Sequence, residues 1–129
     1  MFIIDKDSSA LTTGVWTEFQ GAEFKIRHVS NLEFQRTVLR LQQPYRRKIE
    51  NSTLDPKISK RIVCQAMAEH VLVDWKNVGS KQGNAVPYSP EVACTALVGN
   101  EDLREFVSAF STELDNFIKE ESVELGNDS

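Results

Sequence analysis

Residues 55–78, DPKISKRIVCQAMAEHVLVDWKNV, decide the fold. Asp55 followed by Pro56 is an N-cap with proline at the first helical position, where a missing N–H leaves no bond unmade. Beyond it Val63, Met67, Val71 and Trp75 recur four apart, with Ile58, Ile62 and Ala66 in a neighbouring row. Two adjacent rows at this spacing give a helix a broad apolar face. The spacing predicts one long helix, ending between Trp75 and Val78, that forms the spine of the core.

Upstream, residues 14–29 read as a β-hairpin. Val15, Thr17 and Phe19 alternate with Trp16 and Glu18, and after Gln20-Gly21 the alternation resumes through Ala22, Phe24 and Ile26. Period two with glycine at the turn is the hairpin signal. A lone hairpin is marginal in water, so its apolar face must pack on helices. Ser30 and Glu33 stand at capping-box spacing before an apolar stripe of Phe34, Val38, Leu41 and Tyr45. Pro44 lies inside that stripe and predicts a break or kink.

Downstream, residues 76–88 hold Gly79, Gly83, Asn84 and Pro87 and read as a loop that can close as a small hairpin tipped at Lys81 to Asn84. Ser89-Pro90 repeats the cap-and-proline start, and Gly99 closes a short helix. Asn100 caps the last helix, whose stripe is Leu103, Phe106, Val107, Phe110, Leu114, Phe117 and Ile118.

The predicted fold is therefore a single α+β domain, predominantly helical, with an N-terminal β-hairpin packed on about four helices. Residues 1–13 form a loosely held lead-in, in which Met1 to Ile4 can add an edge strand. Residues 14–29 are the hairpin, 30–122 the helical part and 123–129 a flexible acidic tail. The size agrees: 129 residues and 14.6 kDa fit one domain, and 40% hydrophobic with 26% charged residues is a globular composition. No apolar run approaches the ~20 residues that span a bilayer. The start, Met1 to Asp7, lacks the basic and apolar regions of a secretory signal. Two cysteines are too few for a disulfide scaffold, so a reducing cytoplasm is the expected compartment.

Charge is placed unevenly. From Phe34 to Arg61 stand eight basic residues, Arg36, Arg40, Arg46, Arg47, Lys48, Lys57, Lys60 and Arg61, against two acids. From Gly99 to Ser129 nine acids, among them Glu113, Glu120 and Glu121, face only Arg104 and Lys119. Two readings stand side by side: solvated helix faces of different sign, or complementary surfaces that orient neighbouring copies in self-association. DNA or RNA binding by the basic stretch is disfavoured, because the net charge is −4 and the acidic tail repels phosphate.

The sequence predicts no catalytic, cofactor or metal site. Cys64 and Cys94 sit among apolar neighbours without a nucleophile motif. His70 lies beside the apolar stripe of the core helix as a packing or surface residue, and His28 closes a strand and is expected to be exposed. Metal-ligand spacings and the phosphate-loop register are absent. A small domain with broad apolar helix faces, opposed charge blocks and no reactive cluster reads as a binding or assembly module.

Trp75-Lys-Asn-Val78, the loop with Gly83, Val86-Pro87-Tyr88-Ser89-Pro90-Glu91, the short helix ending at Leu97, and Leu103 with Phe106 form an ordered series. Together with Gly14-x-Trp16-x-x-Phe19, Phe24-Lys25-Ile26-Arg27 and the basic segment Arg36 to Arg47, it resembles the tail assembly chaperones of long, non-contractile-tailed bacteriophages and prophages. The resemblance covers roughly residues 12–120 and departs at Asp55-Pro56, where the preceding connection varies. It implies a non-enzymatic protein of the host bacterial cytoplasm, absent from the mature virion. Such a protein binds the tape measure protein, keeps it soluble and helps recruit tail tube subunits, the latter through a frameshift-extended form. The competing classes are a structural head–tail connector or tail-completion protein and a nucleic-acid-binding adaptor.

Overall fold

The computed structural model describes residues 6–7 and 9–120. Strands β2 (Val15–Phe19) and β3 (Ala22–Ile26) pair antiparallel with Thr17 opposite Phe24. Their two-residue turn has Gln20 at φ 50° and Gly21 at φ 83°. Positive φ at both positions is the turn whose twist matches a β-hairpin. Ahead of the hairpin lie a two-residue strand β1 (Lys6–Asp7) and a short helix α1 (Ser9–Thr13). Gly14 follows at φ 94°, where a Cβ would meet the Ile26 carbonyl oxygen at 3.2 Å. The predicted edge strand at Met1 to Ile4 falls outside the described residues.

Helix α2 spans Leu32–Gln42. Its N-cap is Asn31 rather than Ser30, a correction to the capping-box reading. Asn31 Oδ1 accepts from the Phe34 amide at 2.8 Å, while Nδ2 donates to the carbonyls of His28 and His70 at 2.7 and 3.1 Å. A side-chain amide can accept through its oxygen and donate twice through its nitrogen, whereas a serine hydroxyl has one proton to give. Glu33 is drawn to Arg27 instead, 2.9 Å away, and that ion pair holds its carboxyl below the usual range. Replacing Asn31 by alanine removes the cap and both tethers, and is expected to lower stability by about 1–2 kcal/mol. Urea denaturation measures this, and a change within error would refute the tethering.

At Pro44 the helix gives way to a 3-10 turn (Gln43–Tyr45) and resumes as α3 (Arg46–Glu50), the break that proline predicts. Helix α4 (Pro56–His70) carries the predicted Asp55 cap, with Oδ1 accepting from the Lys57 amide at 2.9 Å. Ile62, Cys64, Ala66, Met67 and Ala68 are buried along it, whereas Val63 is exposed.

The main departure is the end of this helix. It stops at His70, and Leu72–Lys76 forms strand β4, which joins β3 with Phe24 opposite Trp75. The hairpin is thus two-thirds of a three-stranded antiparallel sheet of order β2-β3-β4. Spacing by four satisfies a helix, but it is also two strand periods, so Val71 and Trp75 fit either state. β-branched and aromatic residues in Val71-Leu-Val-Asp-Trp75 favour the strand. A register shift at Lys25/Ile26 leaves Val73 as the extra residue, which is why Leu72 and Trp75, three apart, both turn inward.

Residues 77–88 form the predicted loop. Gly79 bridges Ala85, and the tip is closed by the Gly83 amide donating to the Ser80 carbonyl at 2.9 Å. Helices α5 (Pro90–Gly99) and α6 (Glu101–Thr112) begin at the predicted caps Ser89 and Asn100. Arg104 Nη1 donates to the Leu97 and Val98 carbonyls at 2.8 and 3.2 Å, satisfying the C-terminal end of α5. Helix α6 ends earlier than its stripe predicts. A 3-10 turn (Leu114–Asn116) follows, leaving Leu114 exposed and Phe117 buried. Strand β5 (Lys119–Glu120) then pairs with β1.

The core lies between the sheet and helices α4, α5 and α6, where Phe24, Ile26, Met67, Leu72, Leu97, Val107 and Phe117 are buried together. The fold is α+β and predominantly helical, with a third strand that the hairpin reading lacked.

Candidate interaction surface

Concave surfaces follow from this arrangement. The first, of about 410 Å³, runs between the sheet and the junction of α5 with α6. The twisted hairpin brings Phe19 over α6, where its ring stacks on Phe106 at 4.4 Å between centroids. Phe24 and Trp75 meet edge to face at 6.3 Å behind it. Trp75 is held by its indole N–H, which donates to the Val86 carbonyl at 2.8 Å. Phe19, Phe24, Trp75, Ala96 and Leu103 give the groove an apolar lining, and Gln20, Asn77, Thr95 and Asn100 give it polar groups. Asn77, at φ 61°, donates through Nδ2 to the Gly21 carbonyl at 2.8 Å and pins the hairpin turn to the end of β4. A groove whose open lining is apolar and polar in about equal measure suits an amphipathic segment better than a charged small molecule.

The second surface, about 510 Å³, lies between α4 and α5 and mixes Arg61, Glu69 and Glu91 with Gln65, Cys94 and Thr95. Burial pushes the Cys94 and Cys64 thiols up, so they stay protonated at neutral pH and are weak nucleophiles. The third, about 330 Å³, sits in the bend between α2 and α3 and is lined by Leu39, Gln42, Gln43, Arg46, Ile49 and Glu50.

The basic residues singled out in the sequence are all exposed, but they do not form one patch. Arg36 and Arg40 ride on α2, and Arg46, Arg47 and Lys48 on α3, where Arg46 and Arg47 line one shallow depression. Lys57, Lys60 and Arg61 lie on α4, with Arg61 in the α4–α5 cleft. Arg46 pairs with Glu50 at 3.5 Å and Arg40 approaches Glu69 at 3.9 Å. Such exposed pairs contribute about 0–1 kcal/mol. Of the acids, Glu113 is the exposed C-cap of α6. Glu120 stands opposite Lys6 in the β1–β5 ladder. Glu121 lies outside the described residues.

The two histidines are partly buried. His28 packs edge-on against Phe117 at 5.3 Å, and its Nδ1 lies 2.7 Å from the Ser30 hydroxyl. His70 closes α4 with its ring nitrogens 4.0 Å from Glu33 and 3.9 Å from Glu69. Among the described residues, no group of three or more His, Cys, Asp or Glu is placed to hold a metal ion, and no helix is long and apolar enough to cross a membrane.

The sheet groove escapes sequence reasoning because Trp75, with Asn77, Val78 and Gly79 after it, is placed by β4. Once residues 72–76 are taken as helix, Trp75 cannot be set beside Phe24. The readable signal is the aromatic pair itself, Phe24 and Trp75 each followed by a lysine, in two segments of strand-like composition.

A family model described as YdaY prophage protein matches residues 29–127, from just before α2 onward. No curated protein matches the chain, and no solved structure does so either.

Proposed function

The chain belongs to the YdaY prophage protein family, and from that premise we propose that it is a tail assembly chaperone that binds the tape measure protein. The protein is of phage origin, and the motif series from Trp75 to Phe106 resembles that class of chaperone. The observation that carries the reading is the groove of mixed apolar and polar lining between the sheet and the α5–α6 junction. A tape measure protein is very long and helical, and presents repeated apolar faces until tube subunits enclose it. A helix laid in an apolar groove loses that exposure, and many weak copies along a rod gain through avidity. The action is shielding rather than bond-making, carried out in the host bacterial cytoplasm and ended before the virion matures. Recruitment of tail tube subunits belongs to the same proposal, through a frameshift-extended form of the chain.

Co-expression with the phage's tape measure protein tests it. The expected result is a soluble tape measure protein that co-purifies with this chain. Ala96→Glu places a charge in the groove at a half-buried position and is expected to abolish both effects while the variant stays folded. A folded wild type that neither solubilises nor retains the tape measure protein removes the reading. Detection in finished virions at fixed copy number would assign the chain to the structural parts of the tail instead.

A further inference from the structure

We propose that the bend between α2 and α3 is a docking site for the acidic segment 121–128 of a second copy of this chain. Pro44 interrupts the helix at a 3-10 turn, and the surface that spans the break holds a largely apolar notch lined from both α2 and α3. Leu39 is 65% exposed and Ile49 37% exposed at its two sides. Two aliphatic side chains open beside the same notch give a small apolar surface that a docked segment would cover. Cations outnumber anions around them: from Arg36 to Glu50 there are five basic residues and one acid, and Arg46 lines the notch beside that acid, Glu50, with which it pairs at 3.5 Å.

The chain contains one segment complementary to that surface. Residues 121–128 carry Glu121, Glu124 and Asp128 with no basic residue, and among them stand Val123 and Leu125. A surplus of four positive charges thus meets a stretch of three negative ones, and two aliphatic side chains match Leu39 and Ile49. Val123 and Leu125 enter the notch, and Glu121 and Glu124 face Arg46, Arg47 and Lys48. Opposite charge sets the orientation and the encounter rate, while the aliphatic contacts hold the docked segment in place. Donor segment and acceptor notch are different surfaces, so each copy can give and receive at once. Such a heterologous contact propagates into rings or open spirals rather than closing as a two-fold dimer. The proposal stands apart from the sheet groove and from whichever partner that groove holds.

Sedimentation equilibrium of the full-length chain tests it. The wild type is expected to exceed its monomer mass of 14.6 kDa at low salt. It should fall towards that mass between about 0.05 and about 1 M salt, as screening shortens the range of the charges. Arg46→Glu with Arg47→Glu, and separately Glu121→Lys with Glu124→Lys, should each weaken self-association roughly tenfold or more through like-charge contacts. An equal mixture of the two double variants should assemble again, because each then offers the complement of the other. Leu39→Ser removes an aliphatic contact at an exposed position, and should weaken association at every salt concentration without altering the far-UV circular dichroism. The Glu121→Lys, Glu124→Lys variant should still keep the tape measure protein soluble, which separates this contact from the chaperone reading. A wild type that is monomeric throughout, variants that associate as it does, or a mixture that fails to recover would each overturn the proposal.

Discussion

Trp75→Ala is expected to lower the stability of the folded chain by about 3–5 kcal/mol, the range for truncating a large buried aromatic. Trp75 is only 6% exposed and joins three parts of the structure. Its ring meets Phe24 of β3 edge to face and Tyr88 of the loop at 5.4 Å, also edge to face. Its indole N–H donates to the Val86 carbonyl. Alanine removes the packing, leaves that carbonyl without its donor and opens a cavity under the sheet groove. Trp75→Phe keeps most of the apolar volume and loses the hydrogen bond with a smaller part of the packing, so it should cost clearly less, about half as much. Urea titration of both variants is the measurement. A lower midpoint with an unchanged slope is expected, because the folded and unfolded surfaces stay the same. A loss below about 1 kcal/mol for Trp75→Ala would mean that β4 is not part of the core.

The same residue marks where sequence patterning stops being informative. Local signals with a single physical cause are legible in advance. Gln20-Gly21 demands a turn with positive φ, Asp55-Pro56 and Ser89-Pro90 demand helix starts, and Pro44 demands a break; each stands where expected. Signals that satisfy two periods are not legible. Val63, Met67, Val71 and Trp75 are four apart throughout, yet the first two sit on a helix and the last belongs to a strand. Choosing between them requires knowing that β3 has a free edge, which is a tertiary fact. Ser30 against Asn31 is a similar case. Both are good caps, and the choice falls to Asn31 because it also reaches the end of α4 through His70. For the interaction surface, composition located the charged residues but not their grouping. Arg46 and Arg47 stay together because they are adjacent on one short helix, whereas Arg61 is carried into a different cleft. The sheet groove was illegible, since it is assembled from β2, β3, β4, α5 and α6, and no two of its aromatic residues come from neighbouring stretches longer than a hairpin.

Tyr88→Phe is expected to reduce stability at neutral pH by about 1–3 kcal/mol, and the deficit should shrink as the pH rises above 10. The Tyr88 hydroxyl lies 2.6 Å from the Ala68 carbonyl oxygen and 2.8 Å from that of Leu72, with one proton to donate between them. Ala68 is in the last turn of α4 and Leu72 begins β4, so the hydroxyl satisfies carbonyls where the helix hands over to the strand. Phenylalanine leaves both without this donor. Burial, reinforced by the carboxylates of Asp74, Glu91 and Glu69, pushes the Tyr88 pKa up from 10.0 to about 12. The folded state therefore holds the proton more tightly than the unfolded chain does. The stabilisation is complete below the unfolded value near 10, and it is lost as the pH rises through about 12. The variant has no such proton, and the other titrating groups are common to both proteins. The difference between wild type and Tyr88→Phe, measured by urea titration at a series of alkaline pH values, isolates this one group. It should be constant up to about pH 10 and narrow from there towards 12. A difference that stays flat across that interval would show that the hydroxyl is not held protonated at the junction of α4 and β4.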